Sequence, residues 1–237
     1  SEAPAGPPPA STDVPQVGSA LERAVAGLRP LLTASEGSST ITAELLIAVG
    51  RSWDAVLADD AARRQVLSRS LVLGITSERG GEAALRSVRD EAVALMQAAI
   101  THAGLRLSGL GGAKSETLQR AVQKVRSQIL DEVEGAGRAL RVRVDDKRGL
   151  SAIDEWREWA RYRALYEAAK QRCGAEGQRL AWPSFHREAC HHAVWLWNDQ
   201  KQRALGNCIF RFLVEEAELV GDERTADLQR TNVECGL

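Results

Sequence analysis

The sequence predicts an all-α protein, a multi-helix bundle with an extended Pro-rich N-terminal arm. Aromatic residues make up only 5% of the 237 positions, while Ala, Leu, Glu and Arg abound, a composition that favours helices over strands. Apolar residues recur at helical spacing from about residue 20 to the C-terminus. Five of the seven prolines fall within residues 1–18, SEAPAGPPPASTDVPQVG, which lack the large apolar side chains that a core needs and therefore read as an extended arm.

The helices follow in order. Ser19 and Glu22 form a capping-box pattern ahead of Leu21, Val25, Leu28 and Leu32, with Pro30 as a kink or stop. After the Ser/Gly run 35–39, a second helix from about Thr42 carries Leu45, Val49, Trp53 and Val56, and a third from about Asp60 carries Val66, Leu67 and Leu71. A fourth, about 81–102, lines up Leu85, Val88, Ala92, Leu95 and Ala99. A fifth, about 115–134, repeats Leu118, Val122, Val125, Ile129 and Val133 and is the cleanest amphipathic pattern in the chain, with Gly135 and Gly137 as stop signals.

LRVRV at residues 140–144 alternates apolar and basic residues as a strand does, and reads as a connector or edge segment. Ser151 and Asp154 then signal a helix bearing Ile153, Trp156, Ala160, Leu165 and Ala168 that stops near Gly174. Another helix is expected after Pro183, capped by Ser184, with Gly206 separating it from CIFRFLVEEAELV and Gly221 ending that run. The resulting division is an arm at 1–18, an N-terminal helical lobe at 19–137, a connector at 138–150 and a Trp- and Cys-rich C-terminal lobe at 151–237.

Charge narrows the range of partners. The 31 basic and 32 acidic side chains nearly cancel, leaving no general attraction to phosphate or to an anionic membrane, and no apolar stretch reaches the roughly 18–20 residues of a membrane span. Nucleic acid binding then requires a local patch, for which Arg138, Arg141, Arg143, Lys147 and Arg148 are the candidate strip. Cys173, Cys190, Cys208 and Cys235 match neither a zinc ribbon nor a compact disulfide scaffold, so a reducing compartment is the expectation. The start at Ser1 fits either removal of an initiator methionine or cleavage of an organelle-targeting segment.

Motifs for chemistry are sparse. GLGGAKSE at 109–116 looks like a phosphate-binding loop, yet Ser108 and Ala113 stand where that pattern requires glycine and no strand precedes it, so an interhelical loop is expected. His186, Cys190, His191 and His192 form the densest cluster of ligand types. His186 and Cys190, four apart, share a helix face and make a candidate zinc pair, with Cys173 or Cys208 as third ligand. Against this, Cys190 suits a core position, and structural zinc normally takes two close ligand pairs. Trp195 and Trp197 lie about 200° apart on an ideal helix, so one is expected inward and the other outward as a partner contact. Pro7, Pro8 and Pro9 of the arm are further partner-binding candidates. The acidic run Glu215, Glu216 and Glu218 and the pair Asp145 and Asp146 read as solvated faces, and no nucleophile elbow, HExxH motif or dinucleotide fingerprint occurs.

These features point to a non-catalytic accessory subunit of a large multiprotein assembly, with a mitochondrial complex of respiratory or ATP synthase type as the expected setting. Two rivals differ in class. One is a viral-type helical nucleocapsid or coat protein gripping RNA between two lobes; the other is a helical metal protein or enzyme using the His186–His192 cluster.

Overall fold

The computed structural model describes residues 24, 26, 27, 31, 41–64 and 78–234. The Pro-rich arm with Pro7, Pro8 and Pro9, the Ser19 capping signal and Cys235 lie outside them. Among the described residues the protein is all-α, with no strand. Its helices are α1 (Ala43–Ala58), α2 (Glu78–His102), α3 (Glu116–Asp145), α4 (Ala152–Asn198), α5 (Arg203–Val220) and α6 (Glu223–Glu234), with a 3₁₀ turn at Leu107–Gly109 between α2 and α3. Residues 60–64 add a short helical stretch.

The expected start signals work as local chemistry. The hydroxyls of Thr42, Ser115 and Ser151 accept hydrogen bonds from the backbone N–H groups of Leu45, Leu118 and Asp154, each at 3.2 Å, satisfying donors that a helix start leaves without partners. Gly221, at φ 76°, closes α5 in the left-handed conformation expected of a terminating glycine. The fifth-helix stripe of Leu118, Val122, Val125, Ile129 and Val133 is buried along α3. On α2 the buried residues are Ala92, Val93, Met96, Ala99 and Ile100, while Val88 is exposed.

Several boundaries differ from the sequence expectation. Residues 140–144 are not a strand but the last turns of α3: Leu140 and Val144 are four apart and buried together on one helix face, a spacing that strand alternation also contains. A lone strand has no ladder to satisfy its backbone, whereas continuing the helix does. Nor do Gly135 and Gly137 stop α3. A Cβ at Gly137 would sit 2.6 Å from the Tyr162 hydroxyl and 3.1 Å from Glu188 Cγ, so this glycine lets α3 approach α4. Pro183 lies inside α4 rather than before a helix, and Gly206 lies inside α5, where it admits the carbonyl of Ala193 and the ring of Trp197. The actual break falls at residues 199–202.

The expected stop at Gly174 organises the C-terminal half. Gly174 adopts φ 68°, ψ −164° within α4, a region essentially reserved for glycine. In a straight helix Glu155 and His192, 37 residues apart, would be about 55 Å apart; their side chains instead meet at 3.0 Å. The element is therefore a hairpin, with a first arm (152–173) and a second arm (175–198) folded back on it. Aromatic rings fill the seam: Phe185 stacks on Tyr166 with centroids 4.0 Å apart and lies 4.8 Å from Tyr162. Phe212 of α5 meets Trp159 edge-on at 5.6 Å. Such ring pairs add about 0.5–1.5 kcal/mol each beyond the area they bury.

Replacing Gly174 with Ala should lower stability by about 1–3 kcal/mol. The new Cβ would meet nothing nearer than Ser108 Cβ at 3.7 Å, so the cost is one of backbone conformation and not of space. Urea denaturation measures it, and an unchanged midpoint would show that the reversal does not need this glycine.

Candidate functional site

Three glutamates in the C-terminal half are buried, Glu155, Glu188 and Glu216, with Gln178 and His192 buried beside them. Glu155, fully buried on the first arm of α4, accepts two hydrogen bonds from the Arg143 guanidinium of α3 at 2.6 and 2.9 Å. It also accepts one from the Leu150 N–H at 3.0 Å and contacts His192 Nε2 of the second arm at 3.0 Å. Burial by itself would raise the Glu155 carboxyl. The bonds from His192, Arg143 and Leu150, with the arginine charge, outweigh burial and hold it at about 2. The Trp195 ring stacks against His192 with centroids 5.9 Å apart and sits under the Arg143 guanidinium at 6.0 Å.

Glu216 is likewise buried, which corrects its reading as part of a solvated acidic face. It accepts from Lys170 Nζ at 2.6 Å, Gln178 Nε2 at 2.9 Å and the Tyr166 hydroxyl at 3.1 Å. Lys170 and Gln178 stand on opposite arms of the hairpin, so one α5 carboxylate bridges both. Glu188 takes Arg187 at 2.6 Å and Arg141 at 3.4 Å. Burial, with Glu188 and Glu216 beside them, pushes the Tyr162 and Tyr166 phenols well above their ordinary value.

His186 and Cys190 do share a face, as their spacing implies. Gln229 of α6 reaches both: its Nε2 lies 3.1 Å from His186 Nε2 and 3.4 Å from Cys190 Sγ, with Asn232 Nδ2 donating to its Oε1 at 2.9 Å. A carboxamide thus occupies the place between them. Burial lowers the His186 value and raises that of the Cys190 thiol, away from the thiolate that a metal ligand must become. No group of three or more His, Cys, Asp or Glu side chains suited to a metal ion occurs among the described residues, and Cys173, Cys190 and Cys208 are free thiols.

Trp195 and Trp197 are both buried, at 5% and 8% exposure, so neither points outward as expected. The helical angle between them was sound, but the end of α4 is covered on two sides. Trp195 faces Arg143 of α3, whereas Trp197 packs against Gly206 and lies under Arg203 of α5. The four arginines of the basic strip are paired, Arg138 with Glu134, Arg141 with Asp145 and Glu188, Arg143 with Glu155, and Arg148 with Asp146, while Lys147 is exposed with no carboxylate partner among the described residues. At the phosphate-loop-like segment, Asp54 of α1 accepts from the N–H groups of Glu116 and Thr117 at 2.8 and 3.0 Å and from the Thr117 hydroxyl at 2.6 Å. The start of α3 therefore already holds an internal carboxylate where a phosphate would bind.

The tryptophan that faces outward is Trp156, 49% exposed, with Ile153 at 66% and Leu150 also exposed. They sit at the start of α4, where Trp156 and Ala152 face Leu205 and Ala204 of α5 across a groove of about 590 Å³. No family model, curated protein or solved structure matches this chain.

Acid should destabilise the protein in a defined window. Glu155 ordinarily titrates at 4.5 and is held at about 2 in the fold, so its stabilisation, roughly 3 kcal/mol, is complete above the ordinary value and disappears as pH falls through the folded one. Glu155→Gln, which leaves Arg143 without its counter-charge, should cost about 3–5 kcal/mol at neutral pH and flatten the stability profile between about pH 4.5 and 2. Denaturant midpoints measured across that range decide; a variant that keeps the wild-type acid slope would assign the slope to other carboxylates.

Proposed function

We propose that this chain is a non-catalytic subunit that binds other protein subunits of a larger assembly. The observation carrying the proposal is the apolar end formed by Leu150, Ile153 and Trp156. Aromatic and aliphatic side chains left open together, next to a groove, are the hallmark of a protein contact, and Trp is the side chain most enriched among residues that dominate such contacts. The interior supports the same reading. Glu155 and His192, the kind of pair that serves acid–base chemistry elsewhere, are sealed at 0% and 1% exposure, so no substrate reaches them. Their bonds tie α3 to both arms of α4.

Burying a large exposed tryptophan in a partner typically contributes about 2 kcal/mol or more. Trp156→Ala should therefore leave the melting temperature unchanged while weakening association roughly thirtyfold or more. Native mass in gently lysed source cells provides the readout. Wild-type protein should migrate in a complex of fixed composition and the variant as a smaller species; wild-type protein migrating as a free monomer overturns the reading.

A further inference from the structure

The groove beside Trp156 continues into a second concavity of different character. The first arm of α4 and α5 run side by side in the same direction: Trp156 and Ala204 line one concavity, Arg163 and Arg211 the next, and Lys170 meets Glu216 further along. The second concavity, about 420 Å³, shares Ala204 with the first. Trp156 and Arg163 are seven residues apart on one helix, as are Ala204 and Arg211 on the other, so the apolar and basic ends lie two turns, about 10 Å, apart.

The basic end has unspent charge. Arg163 and Arg211 are exposed, and neither has a carboxylate partner among the described residues. The Arg163 guanidinium lies over the Phe212 ring, 4.2 Å from its centroid, which holds it in place at little further entropic cost. Lys201 and Arg203 flank the apolar end, where α5 begins at Gln202 without a side-chain cap and so adds the positive end of its dipole. Four cations thus border a surface to which Glu215 contributes a carboxylate. Elsewhere, the arginines of the 138–148 strip are matched to acids. A trough with apolar lining at one end and guanidinium groups without carboxylate partners two turns away is complementary to a helix bearing apolar side chains and carboxylates at the same separation.

We propose that the trough between the first arm of α4 and α5 docks an acidic amphipathic helix of a partner protein, with apolar residues against Trp156 and Leu205 and carboxylates on Arg163 and Arg211. The proposal rests on the subunit reading above and specifies the chemistry of the partner. Bidentate contacts from Arg163 and Arg211 to carboxylates fix the partner's direction, while the tryptophan end supplies the apolar anchor.

The test uses the full chain and a dye-labelled amphipathic peptide of about 18 residues, five turns, built from Leu, Ala and Glu, beside a second peptide with Lys in place of Glu on the same apolar face. Fluorescence anisotropy should show the acidic peptide binding at least about tenfold more tightly than the basic one. Arg163→Glu combined with Arg211→Glu should reverse that preference, and Trp156→Ala should weaken both peptides; all these side chains are exposed, and unchanged melting of the variants confirms their fold. Equal affinity for the two peptides, no binding, or indifference to charge reversal overturns the proposal. So does polyuridylate displacing the acidic peptide, which assigns the trough to RNA, or a homodimer lost on Trp156→Ala, which assigns it to a second copy. Native mass separates this from the subunit reading. If wild-type protein and the double arginine variant both remain in the assembly, the acidic docking falls and the subunit role stands; if wild-type protein migrates as a monomer, the subunit role falls.

Discussion

The reversal of α4 at Gly174 is the constraint on which the C-terminal half depends. A left-handed backbone at one position turns a 47-residue helical element into two antiparallel arms, and the aromatic seam exists because Tyr162 and Tyr166 on one arm then face Phe185 on the other. α5 packs on that seam through Phe212, and α3 approaches it at Gly137. None of these contacts is local in sequence. The hairpin tip also reaches the N-terminal helices, with Arg172 donating to the Ile100 carbonyl at 3.3 Å.

Apolar packing alone would leave the helices free to slide by a turn, since a Leu or Ala face is similar one turn, about 5.4 Å, further along. The buried carboxylates remove that freedom. Glu155 engages Arg143 and His192, and Glu216 engages Tyr166, Lys170 and Gln178. A displaced register would strand several polar groups without partners, each costing about 1–3 kcal/mol, with more for the charges. Register is therefore set by few residues.

Much of this was legible in the sequence, and what was missed has a common cause. Periodicity placed Leu118, Val122, Val125, Ile129 and Val133 on the buried face of α3, and small polar residues marked the helix starts at Thr42, Ser115 and Ser151, because both signals are encoded within a few positions. Gly174 was legible as an interruption for the same reason. Glu155 and Glu216 were not: an acid on a helix reads as solvent-facing until the arginine, lysine or histidine of another helix is known to meet it. Gln229 gave no signal as the residue placed between His186 and Cys190. Trp195 and Trp197 failed for a related reason, since an angle around one helix says nothing about how many neighbours surround it. The outward tryptophan, Trp156, lies with Ile153, Ala160 and Ala168 on the stripe that the sequence picks out, and that stripe is exposed; the buried face is the neighbouring one of Trp159, Tyr162, Tyr166, Ala169 and Cys173.

That last difference gives the protein an unusual optical property. Of its six tryptophans, Trp53, Trp159, Trp182, Trp195 and Trp197 are buried, and Trp156 alone stands in water. The ultraviolet emission therefore divides into an interior population shielded from aqueous quenchers and one solvent-bathed indole at the mouth of the α4–α5 trough. Iodide reaches the latter first, so the chain carries its own spectroscopic reporter at one known address, without a dye or an introduced label.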